Sequence, residues 1–315
     1  MAGRVWRVLA LLFPGQGSQR PEMGVPWKAH PAWAVVDRIS DAAGRDVGSL
    51  LTEADADTLK ATRNAQLAAY ALSLVTLYAA RANGLEYVTV TAVAGHSLGE
   101  YTALVAADAM PADAGARLVA ARGEAMQAAA DAGPGTMAAV LGLEAELVRH
   151  ACEGVDGAWP ANDNAPGQVV IAGTREGVER AGEAAKALGA KRVMPLPVGG
   201  AFHSPLMEPA QARLDAALAD AHFHDTTVEV VANVDATPHR SGFAELLSRQ
   251  LTAPVRWRES LESMDRMGIT HFLELGPGTE LSGMVKRTVD GSVRANVATP
   301  DDLDKLVPFL EPLRA

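Results

Sequence analysis

One pentapeptide in the chain has the residue types and the spacing of a catalytic serine. Residues 95–99 read Gly-His-Ser-Leu-Gly, with an apolar run before them and a helical pattern after them. A serine between two glycines on a tight strand-to-helix turn exposes its Oγ at a helix N-terminus, where main-chain N–H groups stabilise an oxyanion. We therefore predict that Ser97 is a nucleophile and that the N–H of Leu98 contributes to its oxyanion hole.

Such a serine needs a base, and His203 is the histidine that we favour among the eight in the chain. It lies in the glycine-rich stretch 199–204, just before a helical pattern, from which its side chain can enter a cleft. We assign His96 to local packing, because its side chain should point away from the neighbouring serine. Alternation entering a strand explains His222 and His224, so we expect no metal site.

The elements that must position these residues alternate between short apolar runs and alanine-rich helical runs. This order predicts an α/β fold with a largely parallel sheet. The predicted strands are residues 8–13, 92–95, 228–232 and 271–275. The predicted helices are residues 31–43, 65–82, 100–107, 112–129 and 205–221.

Residues 134–199 have a different order and predict a small ferredoxin-like α+β subdomain. Their elements are a strand at 137–141, a helix at 144–152, an asparagine-rich loop, a strand at 168–172, a helix at 175–188 and a strand at 192–198. A weak fourth strand near Trp159 would complete the set. The remaining residues, 1–133 and 200–315, then form a larger, discontinuous catalytic domain, with glycine-rich hinges at the two junctions.

Composition limits the partners and the compartment. The formal net charge is −10, from 28 Lys and Arg against 38 Asp and Glu, so we expect no nucleic-acid partner. The apolar stretch 67–80 is shorter than the ~20 residues of a membrane span, and the run that follows Arg4 and Arg7 is shorter than the roughly 7–15 residues of a secretory signal. The single cysteine, Cys152, fits a reducing compartment. We predict a cytoplasmic protein without a membrane partner.

Three motifs together resemble the malonyl-CoA:acyl-carrier-protein transacylase family, which includes the acyltransferase domains of polyketide and fatty acid synthases. They are residues 13–19 (Phe-Pro-Gly-Gln-Gly-Ser-Gln), 95–101 (Gly-His-Ser-Leu-Gly-Glu-Tyr) and 200–204 (Gly-Ala-Phe-His-Ser). Further matches lie at residues 122–127, 162–173, 249–257 and 275–278. The resemblance runs from about Val8 to the C-terminal region. It implies an α/β-hydrolase-like core with an inserted ferredoxin-like subdomain.

The resemblance also implies an activity and a set of catalytic roles. Ser97 would take the malonyl group from malonyl-CoA, and the phosphopantetheine thiol of an acyl carrier protein would then accept it. His203 would act as the base, oriented by a main-chain carbonyl near Gln250 in place of a carboxylate. The N–H of Gln16 would join that of Leu98 in the oxyanion hole. No permanently bound cofactor is implied, because the CoA thioester is itself a substrate.

Substrate recognition is implied in the same way. Arg122 would pair with the free carboxylate of the malonyl group. Gln250 and Phe202 would line the acyl pocket, Asn162 would lie near the cleft, and Met126 fits either a helix core or the pocket wall. Basic residues on either side of the cleft are candidates for carrier docking: Lys191, Arg192, Arg256, Arg258, Lys286 and Arg287.

Three alternatives stay open at this point. A discrete acyltransferase that serves a polyketide or hybrid assembly line in trans, with another extender unit, has the same motifs. A serine thioesterase or esterase would have no need for Arg122 and would normally present an acidic residue between Ser97 and His203, where none stands out. A non-catalytic binding module would not need a nucleophile, a base and a carboxylate clamp together.

Overall fold

The computed structural model describes residues 8–133 and 135–314 and shows a mixed α/β chain with two sheets. Arg4 and Arg7 therefore lie outside the described residues, as do three ends of the predicted domains, at residues 1, 134 and 315. Within the described ranges the strands are β1 (Leu9–Phe13), β2 (Val90–Gly95), β3 (Thr136–Leu141), β4 (Ala158–Ala165), β5 (Gln168–Gly173), β6 (Arg192–Pro195), β7 (Glu229–Val231), β8 (Pro238–His239), β9 (His271–Leu275) and β10 (Val293–Val297).

The α-helices of the same ranges include every helix that the sequence predicts. They are α1 (Ala34–Ala43), α2 (Val47–Thr52), α3 (Ala56–Lys60), α4 (Thr62–Ala82), α5 (Gly99–Ala106), α6 (Ala112–Ala132), α7 (Ala145–Glu153), α8 (Arg175–Ala187), α9 (Glu208–Ala219), α10 (Phe243–Gln250), α11 (Trp257–Arg266), α12 (Glu280–Thr288) and α13 (Leu303–Leu310).

The larger sheet has the strand order β10-β9-β1-β2-β7-β8, and all of its neighbours are parallel except β7 and β8. Alternate residues of a strand point to opposite faces, so Leu9, Leu11 and Phe13 enter one core while Ala10 and Leu12 enter the other. Both faces are therefore covered. In the register of β1 with β2, Phe13 pairs with Gly95, which brings the loops after these two strands together.

The smaller sheet is antiparallel, with the order β4-β5-β3-β6, and α7 and α8 pack against each other and against its strands. It has its own apolar core, which contains Cys152. The predicted asparagine-rich loop is wrong: Asn162 and Asn164 lie within β4, the strand expected only weakly near Trp159. Strand β6 ends at Pro195, earlier than predicted, since prolines 195 and 197 cannot donate ladder hydrogen bonds.

Several boundaries differ from the predictions for local reasons. The predicted helices 31–43 and 205–221 each begin with a short 3-10 turn, Pro31–Trp33 and Pro205–Met207, because proline is favoured at the first helical position. His222 and His224 precede β7 in irregular chain, and both are exposed, whereas Phe223 between them packs against the larger core. Strand β10 and helices α10 to α13 were not predicted at all.

Two long helices bring distant polar residues to one place. Helices α4 and α6 have 21 residues each and pack against each other. Their facing surfaces bury Gln66 from α4 and Arg122 from α6. No helix within the described ranges combines the length and the apolar character that crossing a bilayer requires.

The smaller sheet is attached to the larger unit by backbone and ionic contacts at β4. The N–H of Asp163 donates to Val255 O at 2.9 Å, and the N–H of Val255 donates to Ala161 O at 2.8 Å. The Arg258 guanidinium pairs with the Asp163 carboxylate, with Nη2 to Oδ2 at 2.8 Å, and also with Glu262. Arg258, an expected carrier-docking residue, is therefore engaged within the chain.

We expect Arg258→Met to lower the free energy of unfolding by about 1–3 kcal/mol, because it leaves the half-buried Asp163 carboxylate without its charged partner. Urea unfolding at neutral pH measures this. Glu146→Gln is the control: it removes an ion pair with Arg149 whose side chains are 80% and 53% exposed, so the change should be below about 0.5 kcal/mol. Equal effects of the two substitutions would contradict the role of the β4 contact.

Candidate active site

Ser97 lies on the turn between β2 and α5, and its backbone is left-handed, with φ at 51°. The turn is possible only because its flanking residues are glycines. A Cβ on Gly99 would overlap the carbonyl oxygen of Phe13, and a Cβ on Gly95 would overlap the backbone of Gly99. This close approach of β1, β2 and α5 raises Ser97 above the carboxyl ends of the strands.

The Ser97 hydroxyl is in contact with His203, which the sequence predicts as its base. Ser97 Oγ lies 2.7 Å from His203 Nε2, and His203 Nδ1 lies 3.0 Å from the main-chain oxygen of Gln250. Because that oxygen can only accept, the neutral imidazole carries its proton on Nδ1 and leaves Nε2 free to accept from the serine. Burial, and after it the Arg122 charge, lowers the pKa of His203 to about 3, so the ring is neutral at pH 7.

Arg122 reaches the same hydroxyl from α6. Its Nη2 donates to Ser97 Oγ at 3.0 Å and to Gln250 Oε1 at 3.1 Å, and its Nη1 donates to Gln66 Oε1 at 2.8 Å. The side chain is 1% exposed, and its Nε has no hydrogen-bond partner among the described residues. All of these acceptors are neutral, so a buried cation stands beside the nucleophile without a carboxylate bonded to it. Such a charge is costly unless an anion joins it.

Behind Ser97 lies a polar network that sequence reasoning missed in part. The buried Glu100 carboxylate accepts from Gln250 Nε2 at 2.9 Å and from the N–H of Asn233 at 3.0 Å. Burial raises the pKa of Glu100 to about 7, against the opposing hydrogen bonds from Gln250 and Asn233. An acidic residue in the first turn of the otherwise apolar helix after Ser97 was the available signal for this network.

A cavity of about 360 Å³ opens in front of Ser97, between the two sheets. Of the predicted site residues, it is lined by Ser97, His203, Arg122, Gln16, Met126, Asn162 and Phe202. Gln250 does not line it, contrary to the sequence expectation, because its side chain is buried between Arg122 and Glu100. Leu98 does not line it either; it is the N-cap of α5, and the N–H groups of Gly99 and Glu100 that follow it donate to His96 O and Ser97 O.

His96 packs locally, as expected, and also lines the cavity. Its Nε2 lies 2.8 Å from Asn164 Oδ1, and its ring contacts Trp257 edge-on. Burial lowers the pKa of His96, so the ring is uncharged at neutral pH. His96 therefore links the Ser97 turn to β4 of the smaller sheet, and neither of its ring nitrogens is bonded to Ser97 Oγ.

The expected docking residues have mixed surroundings. Arg256 pairs with Glu259 at 2.5 Å, and Arg258 pairs with Asp163, so these two charges are compensated within the chain. At the edge of the cavity, Arg287 Nη2 donates to Gln168 Oε1 at 2.5 Å.

With this geometry in place, comparison with known proteins assigns the family. The family model described as an acyl transferase domain matches residues 10–310. The chain belongs to the acyl transferase family. Among curated relatives, the malonyl CoA-acyl carrier protein transacylase of Bacillus subtilis is 40% identical over 96% of this chain and 97% of that protein. The Escherichia coli K12 protein of the same name is 42% identical over 89% of this chain and 93% of its own length.

Solved structures of this family have the same fold. The malonyl CoA-acyl carrier protein transacylase of Coxiella burnetii superimposes with a TM-score of 0.92 at 33% identity and covers 99% of both chains. A malonyl-transacylase in complex with its type II polyketide-synthase acyl carrier protein gives a TM-score of 0.90 at 38% identity, over 96% of this chain and 99% of that chain. The similarity to both extends over nearly the whole acyl transferase chain.

The buried, neutral His203 predicts a pH dependence of stability. Its folded pKa of about 3 lies below the unfolded value of about 6.5, so only the unfolded chain takes up a proton between them. As the pH falls from about 6.5, this uptake lowers the free energy of unfolding by up to about 1.4 kcal/mol per pH unit. Urea unfolding of the wild type and of His203→Gln from pH 7 to 4 measures the difference.

Carboxylates titrate in both of these proteins, so their contribution cancels in the comparison. The stability advantage of the wild type over His203→Gln should shrink as the pH falls. Parallel curves would show that His203 is not held neutral by its surroundings.

Proposed function

We propose that this chain transfers a malonyl group from malonyl-CoA to the phosphopantetheine thiol of an acyl carrier protein, and so supplies fatty acid synthesis. One observation carries the proposal: the Arg122 guanidinium is buried, bonded only to neutral acceptors, and 3.0 Å from Ser97 Oγ. A nucleophile beside a buried cation that has no carboxylate bonded to it selects an acyl group that ends in a carboxylate. The names of the similar curated proteins agree with this selection.

In the first half-reaction Ser97 Oγ attacks the thioester carbonyl carbon while His203 Nε2 accepts the hydroxyl proton. The tetrahedral intermediate then collapses, the carbon–sulfur bond breaks, and His203 returns the proton to the departing CoA thiolate. A malonyl ester on Ser97 remains. The Nδ1–H of His203 stays bonded to Gln250 O. The dipole of this carbonyl stabilises the transient imidazolium, in the place where a carboxylate would supply a full negative charge.

The oxyanion of the intermediate needs donors close to Ser97. We assign this role to the N–H groups of Leu98, at the start of α5, and of Gln16, in the loop that follows β1. The register of Phe13 with Gly95 places these two loops side by side. Main-chain donors of this kind are fixed before the reaction begins, so they cost little reorganisation.

The second half-reaction runs the same steps with the carrier thiol as nucleophile, so His203 first deprotonates the thiol and then protonates Ser97. This is ping-pong covalent catalysis. It uses the CoA thioester as a substrate and requires no permanently bound cofactor. It is also chemistry that belongs in the cytoplasm, where malonyl-CoA and carrier proteins are available.

Pocket residues support the choice of a small, charged acyl group. Phe202 and Met126 line the cavity with apolar surface, and Asn162 adds a polar amide at its edge. We propose that the bulky Phe202 ring disfavours an acyl group with an α-methyl branch. Steric rejection of one methyl group amounts to only about 1–3 kcal/mol. Arg122 acts on a different choice, because it selects against acyl groups that lack a carboxylate, such as acetyl.

We further propose that the fold is an α/β-hydrolase-like core with an inserted ferredoxin-like subdomain. The parallel sheet with its strand-turn-helix serine supports the first part. The antiparallel order β4-β5-β3-β6 with two helices supports the second. The domains are then residues 1–133 and 200–315, and residues 134–199, with the active site between them.

A second candidate is service to a polyketide assembly line with the same chemistry. It is favoured by the similarity to a malonyl-transacylase solved with a polyketide-synthase carrier protein. The two candidates differ in the carrier, not in the residues that react. Rates of malonyl transfer to carrier proteins of the two types distinguish them.

The acyl-enzyme is the first test. After mixing with malonyl-CoA, intact-mass spectrometry should show one malonyl adduct on the wild type and none on Ser97→Ala, and the adduct should move to an added phosphopantetheinylated carrier protein. Decay of the adduct to free malonate with the carrier unloaded would indicate a hydrolase instead. An adduct only with a different acyl-CoA would reassign the extender unit.

Arg122→Ala tests the selection. Because the malonyl carboxylate would lose a buried, charge-assisted pair, we expect malonyl transfer to fall by about 100-fold or more while acetyl transfer falls far less. Rates with malonyl-CoA and acetyl-CoA measure the ratio. Arg117→Ala, on the exposed side of the same helix, is the control and should leave the ratio unchanged. An unchanged ratio in Arg122→Ala would contradict the carboxylate assignment.

A further inference from the structure

We propose that Glu100 is a positioning residue that holds both Ser97 and Gln250 in their reactive geometry. The inference deepens the proposed function and rests on it. Glu100 is 2% exposed, does not line the cavity and is bonded to neither Ser97 Oγ nor His203. Its effect on the chemistry therefore passes through the groups that its carboxylate holds.

A single oxygen of this carboxylate accepts two hydrogen bonds from different parts of the chain. Glu100 Oε2 accepts from the N–H of Asn233, which follows β7, and from Nε2 of Gln250, at the end of α10. These residues are more than a hundred positions away in sequence. One atom of α5 thus binds the loop after β7 and the C-terminal end of α10 beside the serine turn.

The first connection supports the strained turn. The side chain of Asn233 accepts from the N–H of Ser97 at 2.6 Å through Oδ1 and donates to Gly95 O at 2.7 Å through Nδ2. It therefore clamps the backbone on both sides of His96. A left-handed residue other than glycine persists only where its surroundings over-determine it. Glu100 secures the clamp by binding the main-chain N–H of Asn233.

The second connection sets the orientation of the Gln250 amide. Gln250 Nε2 donates to two acceptors, Glu100 Oε2 and Ser97 O at 2.9 Å, so its oxygen must face Arg122. If the amide were reversed, its NH₂ group would face the guanidinium and two donors would oppose each other. The same residue accepts from His203 through its main-chain oxygen.

Glu100 is therefore connected through Gln250 to the nucleophile, the base and the carboxylate clamp. Displacing a reacting group by about 1 Å can cost roughly 100-fold in rate. We infer that Glu100→Ala lowers the rate of Ser97 acylation by about 10- to 100-fold and also reduces the preference for malonyl over acetyl. A purely structural role would lower stability but would leave that preference unchanged.

Three substitutions separate hydrogen bonding from charge. Glu100→Gln keeps an oxygen that can accept both bonds, so acylation should stay within about threefold of the wild type. Glu100→Asp keeps the charge but moves the carboxylate back by the length of one methylene group. Its acylation rate should therefore fall nearly as much as that of Glu100→Ala. The control is Trp27→Phe, which removes a buried hydrogen bond to Ala298 O outside the site and should lower stability without changing the acyl preference.

The readouts are single-turnover acylation rates with malonyl-CoA and acetyl-CoA, the melting temperature, and the rate at which a fluorophosphonate labels Ser97. The fluorophosphonate needs no malonyl chemistry, so it reports on serine geometry even if the proposed function fails. We expect Glu100→Ala and Glu100→Asp to be labelled slowly and Glu100→Gln to be labelled nearly as fast as wild type.

Retained activity and labelling in Glu100→Asp together with a loss in Glu100→Gln would overturn the proposal, because charge would then matter more than position. Equal losses in Glu100→Ala and Trp27→Phe would also overturn it. If Glu100→Ala does not fold, the comparison of the Asp and Gln variants decides alone. Absence of a malonyl adduct on the wild type would instead count against the proposed function.

Discussion

The left-handed backbone at Ser97 is the constraint on which the site depends. It exists because β1, β2 and α5 approach so closely that Gly95 and Gly99 have no room for a Cβ. The same approach places the loops after β1 and β2 beside each other and directs the start of α5 at the serine. A nucleophile, a helix N-terminus and a neighbouring loop thus come from one packing requirement of the backbone, and not from independently placed side chains.

Charge compensation explains the remaining composition of the site. The groups bonded to Arg122 are neutral. His203 donates to a main-chain oxygen, whereas many serine hydrolases use a carboxylate at this position. A carboxylate within hydrogen-bond distance of Arg122 would pair with it and would repel an anionic acyl group. Glu100, the acidic residue that takes part in this network, is kept behind the serine, where Gln250 separates it from the cavity. The site thus leaves its positive charge directed at the substrate.

How much the sequence could predict depended on whether a feature was local. The turn at Ser97 was predictable, because glycine spacing and flanking apolar runs determine it within a few residues, and strand 271–275 matched to the residue. The roles of Gln66 and Asn233 were not predictable, because each contacts residues that come close only when the helices and loops pack together. Asn162 and Asn164 were misplaced in a loop because asparagine disfavours strands, a preference that pairing with β5 overrides.

The chain enters the smaller sheet and returns from it at neighbouring positions, since Gly135 packs directly against Ala201. Everything between those residues is a closed excursion of the chain. It contributes walls of the cavity, such as Met137 and Val170, but neither Ser97 nor His203 nor Arg122. Descendants of this fold can therefore vary the excursion and alter what the cavity admits, while the reacting groups stay where the larger sheet puts them. In such a chain, the range of substrates can change without a change in the residues that carry out the reaction.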